Sequence, residues 1–157
     1  LVTEPVDMRA FLDSTIEDLG TAVDAAGADL AITGESWTIM AQPSLLRMLI
    51  TNLLVNALKH RHAHRALPVR IAMERTPAGA PSLTITDNGS GFPPGASEAI
   101  FLPFRRLNKK VEGTGIGLAT CREVCRRHGW TITAHSDGQS GAVFEVALLE
   151  MKTLTAE

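Results

Sequence analysis

At 157 residues and a net charge of −2, the chain has the size of one domain and enough length to bury a core. Its 17 acidic and 15 basic residues give no electrostatic reason to expect nucleic acid or a membrane surface as partner. No apolar run nears the roughly 20 residues of a membrane span, and Leu1–Pro5 lacks a basic and then apolar leader, so the chain reads as cytoplasmic, without direct membrane contact.

Residues 1–157 are expected to form a single domain, and the start at Leu1 rather than Met reads as a piece of a longer protein. Met8, Phe11, Leu12, Ile16, Leu19 and Val23 recur at helical spacing, predicting a leading helix over 8–26 that Gly27 closes. Leu30–Thr33 and Trp37–Met40 flank Gly34-Glu35-Ser36 and read as a short strand hairpin. Pro43 suits the first turn of a second helix, where its missing N–H costs nothing, and that helix should run to about Arg61. Val69–Glu74 and Ser82–Asp87 alternate apolar and polar residues around Thr76–Pro81, a second hairpin. A third helix fits Gly115–His128. It carries Cys121 and Cys125 on one face with their backbones a turn apart, which reads as two buried thiols rather than a disulfide or metal pair. Thr131–His135 and Ala142–Leu149 close the chain as strands around Asp137–Gly141. This α/β order predicts a mixed sheet covered on one face by helices.

Three motifs carry chemistry. At about 100° per residue, Asn52, Asn56 and Lys59 fall within about 60° of one another on the second helix, while Leu46, Leu49, Ile50, Leu53, Leu54 and Ala57 cover the adjoining face. An amide oxygen such as that of Asn56 is a hard ligand suited to Mg²⁺, and Lys59 offers a point charge to phosphate. Asp87 ends a strand and opens Asp87-Asn88-Gly89-Ser90-Gly91-Phe92; its carboxylate can accept from an exocyclic amine and so favour adenine over guanine. Alone, this segment is also an ordinary turn signal. Gly113-Thr114-Gly115-Ile116-Gly117-Leu118 places three alternating glycines before a helix, where backbone N–H groups and the helix N-terminus can face phosphates; alone it is weak.

In this order, Asn52–His60, Asp87–Phe92, Phe101–Phe104 and Gly113–Leu118 resemble the N box, first glycine box, F box and second glycine box of the catalytic and ATP-binding domain of sensor histidine kinases, in the GHKL superfamily. The resemblance runs from about Pro43 to about Leu148, and the stretch from Phe101 to Leu118 is similar to bacteriophytochrome kinase domains. It implies a Bergerat-type two-layer α/β sandwich that binds ATP and Mg²⁺. Asn56 would hold the metal and Lys59 a phosphate. Asn52, His60, Asp87, Gly89, Gly91, Gly113, Thr114, Gly115, Gly117 and Leu118 would line the nucleotide. Residues 105–112 would form a lid whose Arg105 and Arg106 reach the phosphates as catalytic cations.

Asn52 stands where hydrolytic members of the superfamily carry a Glu that activates water, and an amide cannot act as a base. None of the five His has the setting of a phosphoacceptor. The resemblance therefore implies an acceptor His on a separate dimerisation helical hairpin of the same protein, a response regulator receiver domain downstream, and a homodimer at full length. A serine/threonine kinase of the anti-sigma-factor type shares these boxes, and a nonenzymatic nucleotide-binding module is the alternative of another class. His60, His62 and His64 form a weak candidate metal cluster beside Arg61 and Arg65. Trp130 follows His128-Gly129 where the family usually has a second Gly, a departure expected to alter packing only locally.

Overall fold

The structure, a computed structural model, describes residues 1–59, 67–103 and 117–150. Strand β1 (Glu4–Asp7) leads into α1 (Met8–Asp18) and α2 (Gly20–Ala26), followed by β2 (Ala28–Gly34), β3 (Thr38–Ala41) and α3 (Pro43–Lys59). The hairpin of β4 (Leu67–Arg75) and β5 (Pro81–Asp87) precedes two 3-10 turns, Pro94–Ala96 and Ala99–Phe101. Then come α4 (Gly117–His128), β6 (Thr131–Ser136) and β7 (Ala142–Ala147).

Five strands form one mixed sheet in the order β2-β4-β5-β7-β6, parallel between β2 and β4 and antiparallel elsewhere. Period-2 alternation assigns its two faces. Leu83 and Ile85 of β5, Phe144 and Val146 of β7, and Ile132 and Ala134 of β6 are buried, whereas Thr84, Thr86, Val143, Glu145, Thr131 and Thr133 between them are not. The buried face meets the apolar side of α3, formed by Leu46, Leu49, Ile50, Leu53, Leu54 and Ala57, and that of α4, formed by Cys121, Val124 and Cys125. The architecture is the expected two-layer α/β sandwich.

Two local expectations are corrected. The leading segment is two helices rather than one over 8–26. It breaks at Leu19, whose N–H is shared between the carbonyls of Thr15 (3.2 Å) and Ile16 (3.1 Å). Thr15 Oγ1 donates back to the Phe11 carbonyl at 2.8 Å, a bond that bends helices, and Gly20 is a poor residue with which to continue. Gly27 closes α2 in the left-handed conformation, as expected.

The hairpin expected over 30–40 does not form. Its first strand joins the main sheet beside β4, with Ile32 opposite Ile71. Its second pairs with β1 in a separate two-stranded sheet, with Val6 opposite Ile39. Short apolar runs state that a strand exists, while its partner is chosen by what both can bury, here Val6, Met8, Ile39 and Ala41. The sequence reading did not include β1, whose Pro5 stands opposite Met40 in this two-stranded sheet.

The far end of α4 absorbs the Trp130 departure. Trp130 is buried and stacks on His128 with ring centroids 4.1 Å apart. The Gln42 N–H donates to His128 Nε2 (3.1 Å), so the ring proton lies on Nδ1 and donates to the Val124 carbonyl (2.8 Å). Cys121 and Cys125 are free and buried. Burial raises both thiols, Cys125 to about 12, so neither is reactive near neutral pH. Among the described residues no helix is long and apolar enough to cross a membrane.

Candidate functional site

The stripe of α3 expected to carry chemistry is the one its packing leaves out of the core. Asn52 and Asn56 are half-buried and Lys59 is exposed in the last turn, while the leucines beside them are buried. Gly117, the first residue of α4, lies against this stripe: a Cβ placed on it would sit 3.5 Å from Asn52 Oδ1. The end of the stretch resembling the second glycine box and the first residue of the one resembling the N box, 65 residues apart in sequence, thus meet where α4 starts. Leu118 packs half-buried against the core.

Asp87 ends β5 on its buried side and is 5% exposed, a low value for a carboxylate. Its Oδ1 accepts the N–H groups of Gly89 (2.8 Å) and Ala142 (3.4 Å). No donor among the described residues is placed on Oδ2. Burial pushes the carboxyl above its ordinary value, and the two backbone N–H groups offset part of that shift. A buried carboxylate with one oxygen held and the other without a donor among the described residues is suited to receiving one from a ligand.

The loop after Asp87 is tied to the β6–β7 end of the sheet, a support that the sequence reading missed. Ser136 Oγ accepts the N–H groups of Phe92 (3.0 Å) and Gly138 (3.1 Å) and donates to the Gly141 carbonyl at 2.7 Å. Gly141 has a φ of 106°, and a Cβ on it would fall 2.0 Å from the Asp87 carbonyl oxygen. Gly91 comes equally close, its hypothetical Cβ lying 2.2 Å from Ser136 Oγ. Asp137 caps the connecting turn by accepting the N–H groups of Gln139 and Ser140 and the Ser140 hydroxyl, which hold it down at about 2. Asp137–Gly141 read only as a turn, and the one available signal was a glycine directly before a strand.

The structure therefore gathers Asp87, Gly89 and Gly91 at one end of β5, and Asn52, Gly117 and Leu118 where α3 meets α4. Asn56 and Lys59 follow Asn52 along the same stripe. His60, Arg105, Arg106, Gly113, Thr114 and Gly115, with the candidate cluster at His62 and His64, lie outside the described residues. Among those described, no group of three His, Cys, Asp or Glu side chains could hold a metal. The half-buried Asn56 amide still fits Mg²⁺, which needs few protein oxygens when phosphates and waters complete its shell.

Residues 41–152 match the family described as histidine kinase-, DNA gyrase B- and HSP90-like ATPase. The chain belongs to that family. Sensor protein KdpD of Escherichia coli (strain K12) is 40% identical over 106 residues, which are 66% of this chain and 12% of KdpD. The chain thus spans about an eighth of that curated relative. Among solved structures, a mycobacterial sensor histidine kinase MprB superposes with a TM-score of 0.83 at 25% identity, covering 97% of this chain and 100% of that one. Full-length ShkA, solved in complex with AMPPNP, shares the fold with a TM-score of 0.81 at 24% identity, covering 97% of this chain and 32% of ShkA. The two-layer sandwich is the fold these solved structures share.

Proposed function

We propose that this domain binds ATP with Mg²⁺ and donates the γ-phosphate to a histidine on a separate dimerisation and phosphoacceptor hairpin of the same protein. The phosphoryl group would then pass to the receiver domain of a response regulator. In this reading the full-length protein is a homodimer and the domain works in the cytoplasm. The AMPPNP bound to the fold neighbour ShkA supports the nucleotide, and the relatives named as sensor kinases support the two-component setting.

The observation that carries the proposal is Asn52 against Gly117, where the N box meets the start of α4. A hydrolytic ATPase needs a base there, and an amide is none. The site holds ATP without offering it to water, which suits a domain that waits for an acceptor. Asp87 Oδ2 would accept the adenine amine, with the Ser136 and Gly141 contacts keeping its loop in place. Lys59 would meet phosphate as a point charge and Asn56 would ligate the metal, which neutralises charge on the phosphate oxygens. Arg105 and Arg106 are proposed as the cations nearest the transferred group.

The chain incubated with labelled ATP should form almost no phosphohistidine and hydrolyse ATP slowly. The acceptor hairpin added in trans should become an acid-labile phosphoprotein. Robust self-phosphorylation of residues 1–157, or fast hydrolysis insensitive to Asn56, would overturn the proposal.

A further inference from the structure

Arg122, one and a half turns into α4, meets Phe101, the first residue of the F-box stretch, and Glu98, which no motif reading singles out. Its guanidinium carbon lies 4.8 Å from the centroid of the Phe101 ring, and its Nη2 donates to Glu98 Oε2 at 2.6 Å. Phe101 is 2% exposed and stands edge-on to Phe144 at 6.3 Å, and the Phe92 ring lies 6.4 Å from Phe144. Phe144 is the sheet partner of Ile85, two residues before Asp87. A continuous line of contacts thus runs from α4, through one cation and two rings, to the strand that presents the Asp87 carboxylate. At its other end α4 rests on Asn52 through Gly117.

We propose that Arg122 is a positioning residue that sets the start of α4 at a fixed place relative to the Asp87 end of the pocket. The inference rests on the nucleotide-binding reading above and adds a role that the boxes do not contain. A nucleotide spans both ends: its base meets Asp87 on the sheet, and its phosphates meet the α4 N-terminus and the α3 stripe. With Arg122 in place the two ends are held at one spacing before the ligand arrives, so the phosphates meet their donors without an ordering cost. Without it, α4 keeps its apolar anchors, Cys121, Val124 and Cys125, but loses its tie to Phe101 and Glu98. The effect should fall on the phosphate contribution to affinity and spare the base.

The test compares adenosine with ADP and Mg²⁺ by calorimetry, on the parent and on Arg122→Gln, Arg122→Lys and Glu98→Gln, with thermal melts on each. Arg122→Gln should weaken ADP about five- to tenfold, the size of a ring-stacked cation and its ion pair at a partly exposed site. Its adenosine affinity should stay within about twofold of the parent, a change of about 0.4 kcal/mol. Arg122→Lys keeps a cation over the ring and should recover most of the loss. Glu98→Gln keeps the ring contact and should weaken ADP less than Arg122→Gln does. Equal loss of adenosine and ADP would reduce Arg122 to a stability residue and overturn the proposal, as would ADP affinity unchanged in Arg122→Gln. A parent that binds neither ligand would overturn the nucleotide-binding reading and this inference with it, whereas a parent that binds both while Arg122→Gln matches it overturns the inference alone.

Discussion

Asp87→Asn should weaken ADP at least about tenfold while leaving the domain as stable as the parent, or more so, at neutral pH. The affinity loss follows from the oxygen that no described residue engages. Oδ1 is occupied by the Gly89 and Ala142 N–H groups, and an Asn can keep those bonds through its own oxygen while presenting an NH₂ where Oδ2 stood. Adenine's amine would then face a donor, and losing a hydrogen bond to a charged acceptor costs about 1.5–3 kcal/mol, or about ten- to 150-fold. The stability effect has the opposite sign. Burial raises the Asp87 carboxyl in the folded state, so the folded protein holds a proton that the unfolded chain gives up first. Stability therefore falls as pH rises from the ordinary carboxylate value through the raised one, and it stays lowered above that window. Asn carries no charge and escapes this penalty. Melting curves from pH 4 to 8 beside ADP titrations check both halves. Equal ADP binding by variant and parent would remove Asp87 from the base end of the pocket.

Gly141→Ala should be among the most destabilising single changes in the chain, although it adds one methyl group at a loop edge. That methyl would lie 2.0 Å from the Asp87 carbonyl oxygen and 2.7 Å from Asn88 Cα, at a φ of 106° that L residues rarely adopt. Backbone atoms cannot turn aside as a flexible side chain can, so either the β5 end or the start of β7 must shift. Strain of that kind, with the overpacking it brings, costs on the order of 3 kcal/mol together. In a domain of this size that lowers the melting temperature by roughly 6–12 °C. ADP affinity should fall with it, because the Ala142 N–H that holds Asp87 follows directly in the chain. Circular-dichroism melts measure the first effect, and a parent-like melting temperature would show that this end of the sheet yields more easily than its packing implies.

Much of the layout of the candidate site could be read from the sequence because local patterns set it. The α3 stripe follows from helical spacing: Leu46, Leu49, Leu53 and Ala57 claim one face and leave Asn52, Asn56 and Lys59 to the other. Asp87 follows from strand alternation ending at a turn signal, and its burial in the structure agrees. The β4–β5 hairpin was equally visible, since a short glycine- and proline-rich turn joins two alternating strands that pair with Ile71 opposite Ile85.

What could not be read is what distant segments choose from one another. Nothing in Leu30–Thr33 specifies β4 as a partner, and nothing in Thr38–Ala41 specifies a strand containing Pro5. Ser136 and Gly141 support the Asp87 loop only because β6 and β7 end beside it. Likewise, Arg122 and Glu98 look like solvated charges until the fold sets Phe101 between them and the sheet. Sequence periodicity identifies faces, and the meeting of faces depends on topology.

The account's central claim is that the α3 stripe and the Asp87 loop together hold a nucleotide with its metal, and a calorimetric titration of ADP with and without Mg²⁺, on the parent and on Asn56→Ala, tests it most directly. The parent should bind ADP more tightly with Mg²⁺, and Asn56→Ala should lose most of that gain while keeping the weaker metal-independent binding that Asp87 supports. Metal dependence unchanged in Asn56→Ala, or no binding by the parent under either condition, would contradict the account.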